Sequence, residues 1–204
     1  MYTALLATSQ TLAEFLQNRM ENDPNLRTLF DAGLGGVMTV SLRNPEEMTE
    51  RNDQGLSLWL YRITRDEDRL NDPPVRITPS LFHEPPLPLR LHYLCTPVVD
   101  PGTLNNAEIE QRILGKVVQT FYGHPVFRGT DLAGDFSGTD AELRSRLEPM
   151  SLEDSTRVWN ALEQPYQLSV SYEVTLVNVD SEMFESNTPV TEVIPDYAVI
   201  VGES

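Results

Sequence analysis

Positive charge is scarce in this sequence. Lys and Arg together number 15 against 31 Asp and Glu, which leaves a formal net charge of −16 and a pI of about 4.4. Such a surface repels phosphate backbones and anionic lipid, which argues against nucleic acid and membrane as partners. Cysteine is nearly absent too. The single thiol, Cys95, has no internal partner for a disulfide, in keeping with a reducing compartment, and reads as a small buried hydrophobe. Long apolar runs are missing: the first residues, MYTALLATSQTLAEFLQ, carry no Lys or Arg ahead of their apolar positions and soon meet Gln and Glu. That excludes the pattern of a signal peptide or a membrane span, and the expected place of assembly is the cytoplasm.

What is present suits one soluble globular domain of 204 residues, 40% hydrophobic and 23% charged, long enough to build a core without metal or disulfides. Its organising stretch is residues 55–99. Two short, β-prone apolar runs, 56–63 and 89–99, flank a connection rich in charge and proline. In the first run Leu56, Leu58 and Leu60 alternate with Trp59, Tyr61 and Ile63, so both faces of the strand are apolar. A strand of that kind sits inside a sheet covered on both sides. In the second run Leu89, Leu91, Tyr93 and Cys95 share a face.

Around this pair the periodicity predicts an amphipathic helix over 2–21, with Tyr2, Leu5, Leu6, Leu12, Leu16 and Met20 on its buried side. A short strand follows at 37–42, closed by Asn44 and Pro45. The acids of 65–69 are expected in a solvated turn, and the proline-rich segment after them is expected to cross the surface extended. A helix over 106–122 follows, opened by an Asn105–Glu108 capping box and ended by Gly123 and Pro125. Its wide stripe, Ile109, Ile113, Val117 and Phe121 beside Leu114, Val118 and Tyr122, should make it the best buried of the helices. Residues 125–139 read as loop and 142–149 as an edge strand. Ser151 caps a short helix to about 162, whose buried stripe is Leu152, Val158, Trp159 and Leu162. In 166–180 strict alternation from Leu168 to Leu176 slips by one residue to Val177 and Val179, which places a β-bulge near Leu176. This mixed order predicts an α+β fold: one domain over 1–187, a mixed, mostly antiparallel sheet packed with about three helices. Residues 188–204 are apolar, β-prone and broken by Pro189 and Pro195. They read either as an arm laid on a neighbouring subunit or as an edge strand of the same domain.

Catalytic patterns do not stand out. His83, His92 and His124 have no metal-ligand spacing, and His92 reads as a packed strand residue. The glycines before residue 37 lack the order and the lysine of a phosphate loop. Gly134-Asp-Phe-Ser-Gly138 has its serine one place too late for a nucleophile elbow. The reading is therefore of a non-enzyme, without cofactor or metal.

Four segments do carry a resemblance. They are LSLWLYRIT (56–64), PPLPLRLHYLCTP (85–97), the helix end FYGHP (121–125) and VWNALEQPYQLSVSYEVTLVNVD (158–180). Together they resemble the small cap proteins of contractile injection systems, relatives of phage tail terminators that belong to extracellular phage-tail-like particles. The resemblance implies a tail-terminator-like fold and a subunit of a six-fold ring at the distal end of the inner tube and sheath. Its partners would be other copies of itself, the tube protein and the sheath protein. Some members of that family continue beyond the last strand, which leaves open how this chain engages the final sheath ring and whether a second cap protein exists. A ring of identical subunits needs two different contact patches, and the candidate contact residues are Pro85, Pro86 and Pro88 in the loop and Val193, Ile194, Tyr197 and Val199 in the tail. Two other readings stay open: a tail terminator or completion protein of a true phage, and a hydrolytic or small-molecule-binding α+β domain.

Overall fold

The computed structural model describes residues 2–70, 73–78, 81–180 and 184–186. In chain order the elements are α1 (Ala4–Glu21), α2 (Arg27–Phe30), β1 (Thr39–Ser41), α3 (Pro45–Glu50), β2 (Gly55–Arg65), β3 (Val75–Thr78), β4 (Leu81–His83), β5 (Leu87–Val98), α4 (Asn106–Gly123), β6 (Val126–Arg128), β7 (Glu142–Glu148), α5 (Leu152–Ala161), β8 (Val170–Val179) and β9 (Phe184–Ser186). Six strands make the main sheet in the order β1-β2-β5-β8-β7-β6. Only β1 and β2 run parallel, joined by α3 as the crossover; the remaining neighbours are antiparallel. The α+β expectation and the central place of β2 and β5 both hold.

The inner face of the sheet supplies Leu56, Leu58, Leu91, Tyr93, Cys95, Leu143, Tyr172 and Val174 to one core, closed by α1 and α4. α1 approaches closely because much of its buried face is small: Ala4, Ala7, Thr8, Ser9, Thr11 and Ala13 accompany Leu12, Leu16 and Met20. Its buried hydroxyls are satisfied, Thr8 and Thr11 donating to backbone carbonyls one turn back and Ser9 Oγ lying 2.8 Å from Tyr93 Oη. This corrects the expected stripe, because Tyr2 and Leu6 are exposed and the close contact belongs to small residues that a search for large apolar ones passes over. It also corrects the ranking of the helices, since α1 buries more of its length than α4.

The outer face carries a second, smaller cluster of Leu94, Trp159 and Leu162 with Trp59, Tyr61, Met150 and Val158 around it. Here α5 lies over the sheet, its start capped by Ser151, whose Oγ accepts from the Asp154 amide at 3.1 Å. Leu152, expected in the buried stripe, is exposed: it stands in the first turn, ahead of the part of α5 that meets the sheet.

Both neighbours of β5 are bulged. The register of β5 with β8 passes from Leu89↔Val177 to Leu91↔Val174, so two β8 residues face one on β5, and Leu176 takes φ +69°. The slip of hydrophobic phase read at Leu176 is therefore a bulge. On the other side the register skips Tyr61. Pro88 and Pro97 are tolerated within the central strand because each sits where one of the flanking ladders has ended.

Several local expectations are corrected. Asn44 does not merely close β1. Its Oδ1 accepts from the Glu47 amide at 2.8 Å and starts α3, with Pro45 in the first turn. The Asn105–Glu108 capping box does not form, because Asn105 is left-handed and its side chain makes no cap. The proline-rich segment is not a plain extended crossing: β3 and β4 pair within it, and β9 adds to β4. β7 is an inner strand only over Glu142–Arg144, where β6 from the expected loop pairs with it, and keeps the expected edge position, among the described residues, beyond Arg144. The core is aromatic where these elements meet, with Phe121 4.7 Å from Tyr172 and Phe15 5.1 Å from Phe127 between ring centroids.

Candidate functional site

Beyond the part covered by α5, the outer face of the sheet is polar. β7 contributes Arg144, Arg146 and Glu148 by alternation, β8 Ser171 and Glu173, β5 Arg90 and His92, and β2 Arg62 and Thr64 past its bulge. The extra residue at Tyr61 is what turns Arg62 and Thr64 to the same side as His92.

Glu148 is the centre of one network. Arg62 Nη2 donates to its Oε1 at 2.8 Å, Ser171 Oγ to its Oε2 at 2.7 Å, and Tyr61 Oη to Oε2 at 3.2 Å. His92 Nδ1 lies 3.1 Å from the same carboxylate, while its Nε2 lies 3.0 Å from Thr64 Oγ1. A ring that donates through Nδ1 to Glu148 and accepts the Thr64 hydroxyl at Nε2 accounts for these two contacts, while Arg62 Nη2 also lies 3.1 Å from Nδ1. Burial pushes the Glu148 carboxyl up, yet the hydrogen bonds from Ser171 and His92 and the Arg62 charge outweigh it and hold the pKa below its ordinary value. Burial raises the Tyr61 phenol.

A second chain of charge runs beside it. Arg146 Nη2 donates to Glu173 at 3.0 Å, and Arg90 donates to Asp66 Oδ1 through Nε at 3.0 Å and Nη2 at 2.6 Å. Arg90 also meets Asp68 and comes within 3.9 Å of Glu173. The Asp66 carboxylate, then that of Asp68, raises the Arg90 pKa further and fixes its charge. The expectation of a solvated acidic turn is thus half right: Asp68 is 85% exposed, whereas the Asp66 side chain is 4% exposed and anchored.

Chemically, these networks tie four strands together. The Thr64–His92–Glu148 line has the hydrogen-bond sequence of a base and its orienter, but His92 is 3% exposed and its ring is enclosed by the groups it bonds, as befits a tie between strands. His92 is therefore a polar bridge, where the sequence suggested plain packing. Among the described residues no group of His, Cys, Asp or Glu could hold a metal ion, and no helix is long and apolar enough to cross a membrane.

The contact residues expected from the sequence fare differently. Pro85 and Pro86 are half-buried in the connection between β4 and β5, and Pro88 is buried within β5, a sheet position instead of a loop tip. Val193, Ile194, Tyr197 and Val199 lie outside the described residues. The polar network was missed because its members are scattered over four strands, and only a correct strand order brings them together.

The whole fold has solved counterparts. The sheath/tube terminator, in the extended state, of PVC, an extracellular contractile injection system, is 18% identical with a TM-score of 0.62, covering 98% of this chain and 65% of that one. The tube-terminating cap of the anti-feeding prophage (AFP) is 17% identical with a TM-score of 0.54, covering 88% of this chain and 62% of that one. The chain thus spans less than two thirds of the length of either structure. No curated protein sequence matches it. The profile of the Pvc16 N-terminal domain does match, over residues 7–192, and the chain belongs to that family.

Proposed function

We propose that this protein is a structural cap subunit that terminates the inner tube and sheath of a contractile injection system. The observation that carries the reading is the superposition of 98% of the chain on a sheath/tube terminator. The family match over 7–192 supports it, and so does a sheet whose polar face is spent on cross-strand ties. In this reading the protein acts without catalysis or cofactor. Copies close into a six-fold ring that contacts the tube and sheath proteins, binding neither nucleic acid nor membrane. Assembly takes place in the cytoplasm, and the ring stays with the particle when it leaves the cell. Residues 188–204 serve as the arm between neighbours, with Val193, Ile194, Tyr197 and Val199 as its contacts and Pro85 and Pro86 as those of the loop.

The test is location. An affinity tag on this chain, labelled with gold on purified particles, should mark one end of the tube only. Label along the whole sheath, or none on particles from cells that make the tagged protein, overturns the proposal.

A further inference from the structure

The two ends of the six-stranded sheet differ in chemistry and match each other. At one end β6 covers only Glu142–Arg144 of β7, so among the described residues the β7 edge beyond Arg144 has no strand partner, only the bond its Ser145 amide donates to the Pro125 carbonyl at 2.8 Å. A cleft of about 320 Å³ opens there between α4 and β7, lined among others by Val118, Phe121, Tyr122, Pro125 and Leu147. Tyr122 is 88% and Leu147 50% exposed. On the outward face of this end stand three exposed arginines, Arg128, Arg144 and Arg146. Glu142 and Glu173 balance part of their charge, and Arg128 makes no ion pair among the described residues.

At the opposite end β1 is the edge, paired among the described residues on one side alone apart from the bond its Val40 amide donates to Gln17 Oε1 at 2.8 Å. Val37, 75% exposed, and Leu34, 50% exposed, precede it and Leu42 follows it. The crossover α3 beside it is acidic, with Glu47 and Glu50 exposed one turn apart and Glu46 held by Gln164. Arg51 is exposed at its end, and Arg43 is engaged by Asp53 at 3.3 Å.

We infer that the β1/α3 end of one copy docks on the β6/β7 end of the next, so that the occupant of the Tyr122–Leu147 cleft is a second copy of this chain. The match of an acidic end to an arginine-bearing end in one molecule carries the choice of occupant. Two like copies brought together at the same end would instead oppose equal charges. Different patches at the two ends make the contact heterologous, and a heterologous contact closes a ring when its rotation divides a full turn, as the ring reading requires. The inference rests on the ring reading above and adds a sheet-end contact to those of the arm and the loop.

Charge exchange tests it on assembled particles, by quantifying this chain against the tube protein. Arg128→Glu with Arg144→Glu sets acid against acid; Glu47→Lys with Glu50→Lys sets base against base. Each pair should lower the cap content at least tenfold, and all four substitutions in one chain should restore it to within twofold. Tyr122→Ser, at a side chain too exposed to matter for folding, should also lower it, and keeps the test decisive if a charge variant does not fold. Wild-type content in every variant overturns this interface while leaving the ring reading in place. Absence of the wild-type chain from particles overturns both. Loss in both charge pairs without restoration in the combination overturns the pairing of these two ends.

Discussion

Four donors converge on the carboxylate of Glu148, and this single residue sets an acid limit on stability. Its pKa is depressed in the folded protein, so its contribution is complete above the ordinary carboxylate value of about 4.3 and is lost as pH falls through the lower folded value. Asp23, lowered first by the hydrogen bond from Lys116 on α4, acts in the same direction. Urea midpoints should therefore hold near neutral pH and fall steeply below about pH 4. Glu148→Gln should cost about 1–3 kcal/mol at pH 7 and flatten that acid slope; an unchanged slope would show that the network adds nothing to stability.

Backbone geometry supplies a second residue-scale test. A Cβ at Gly55, where φ is +133°, would stand 2.1 Å from the Thr39 carbonyl oxygen on the paired strand. Gly55→Ala should thus part β1 from β2 and cost more than about 3 kcal/mol, measured by chemical denaturation. Leu176→Gly, in contrast, removes the penalty of a left-handed leucine and should change stability by less than about 1 kcal/mol despite the lost side chain.

Among the elements, α5 is held by little: its buried contribution is essentially Trp159, with Leu162 just past its end. Trp159→Ala should cost about 3–5 kcal/mol and free the helix from the sheet, seen as a loss of near-UV circular dichroism together with exposure of Trp59. The Trp159 Nε1 is buried without a hydrogen-bond partner among the described residues, so Trp159→Phe should cost much less than the alanine change. At this scale strands were easier to read than helix ends. Two-fold alternation marks β8 and even its bulge, because a register slip moves every later side chain to the other face. The capping side chain of Asn105 failed, although Asn105 and Glu108 have the right spacing, since the chain enters α4 through a left-handed turn that points the amide away. Asn44 could have been found: an Asn-Pro-Glu-Glu run is a helix start, but a six-residue helix buries only Pro45 and Met48 and leaves almost no periodicity.

For the whole molecule, the layered α+β fold was legible because the first apolar run, β2, is apolar on both faces, which requires cover above and below. The polar outer surface was not. Arg62, Arg90, His92, Glu148 and Glu173 come from four strands separated by long stretches of sequence, and no local pattern encodes their meeting. Of the two ends of the sheet, β1 falls inside the short strand read at 37–42, whereas β6 was taken for loop, its three residues being too few to show alternation. Strands cross-tied on one face and packed on helices on the other leave two chemically distinct ends, as the proposed ring contact requires.

The most direct measurement is to delete the gene and image purified particles by negative-stain electron microscopy. A terminating cap predicts tubes of uncontrolled length, or tubes whose distal sheath is lost, restored by the wild-type gene. Particles of normal length with intact sheath and a closed distal end would contradict the account.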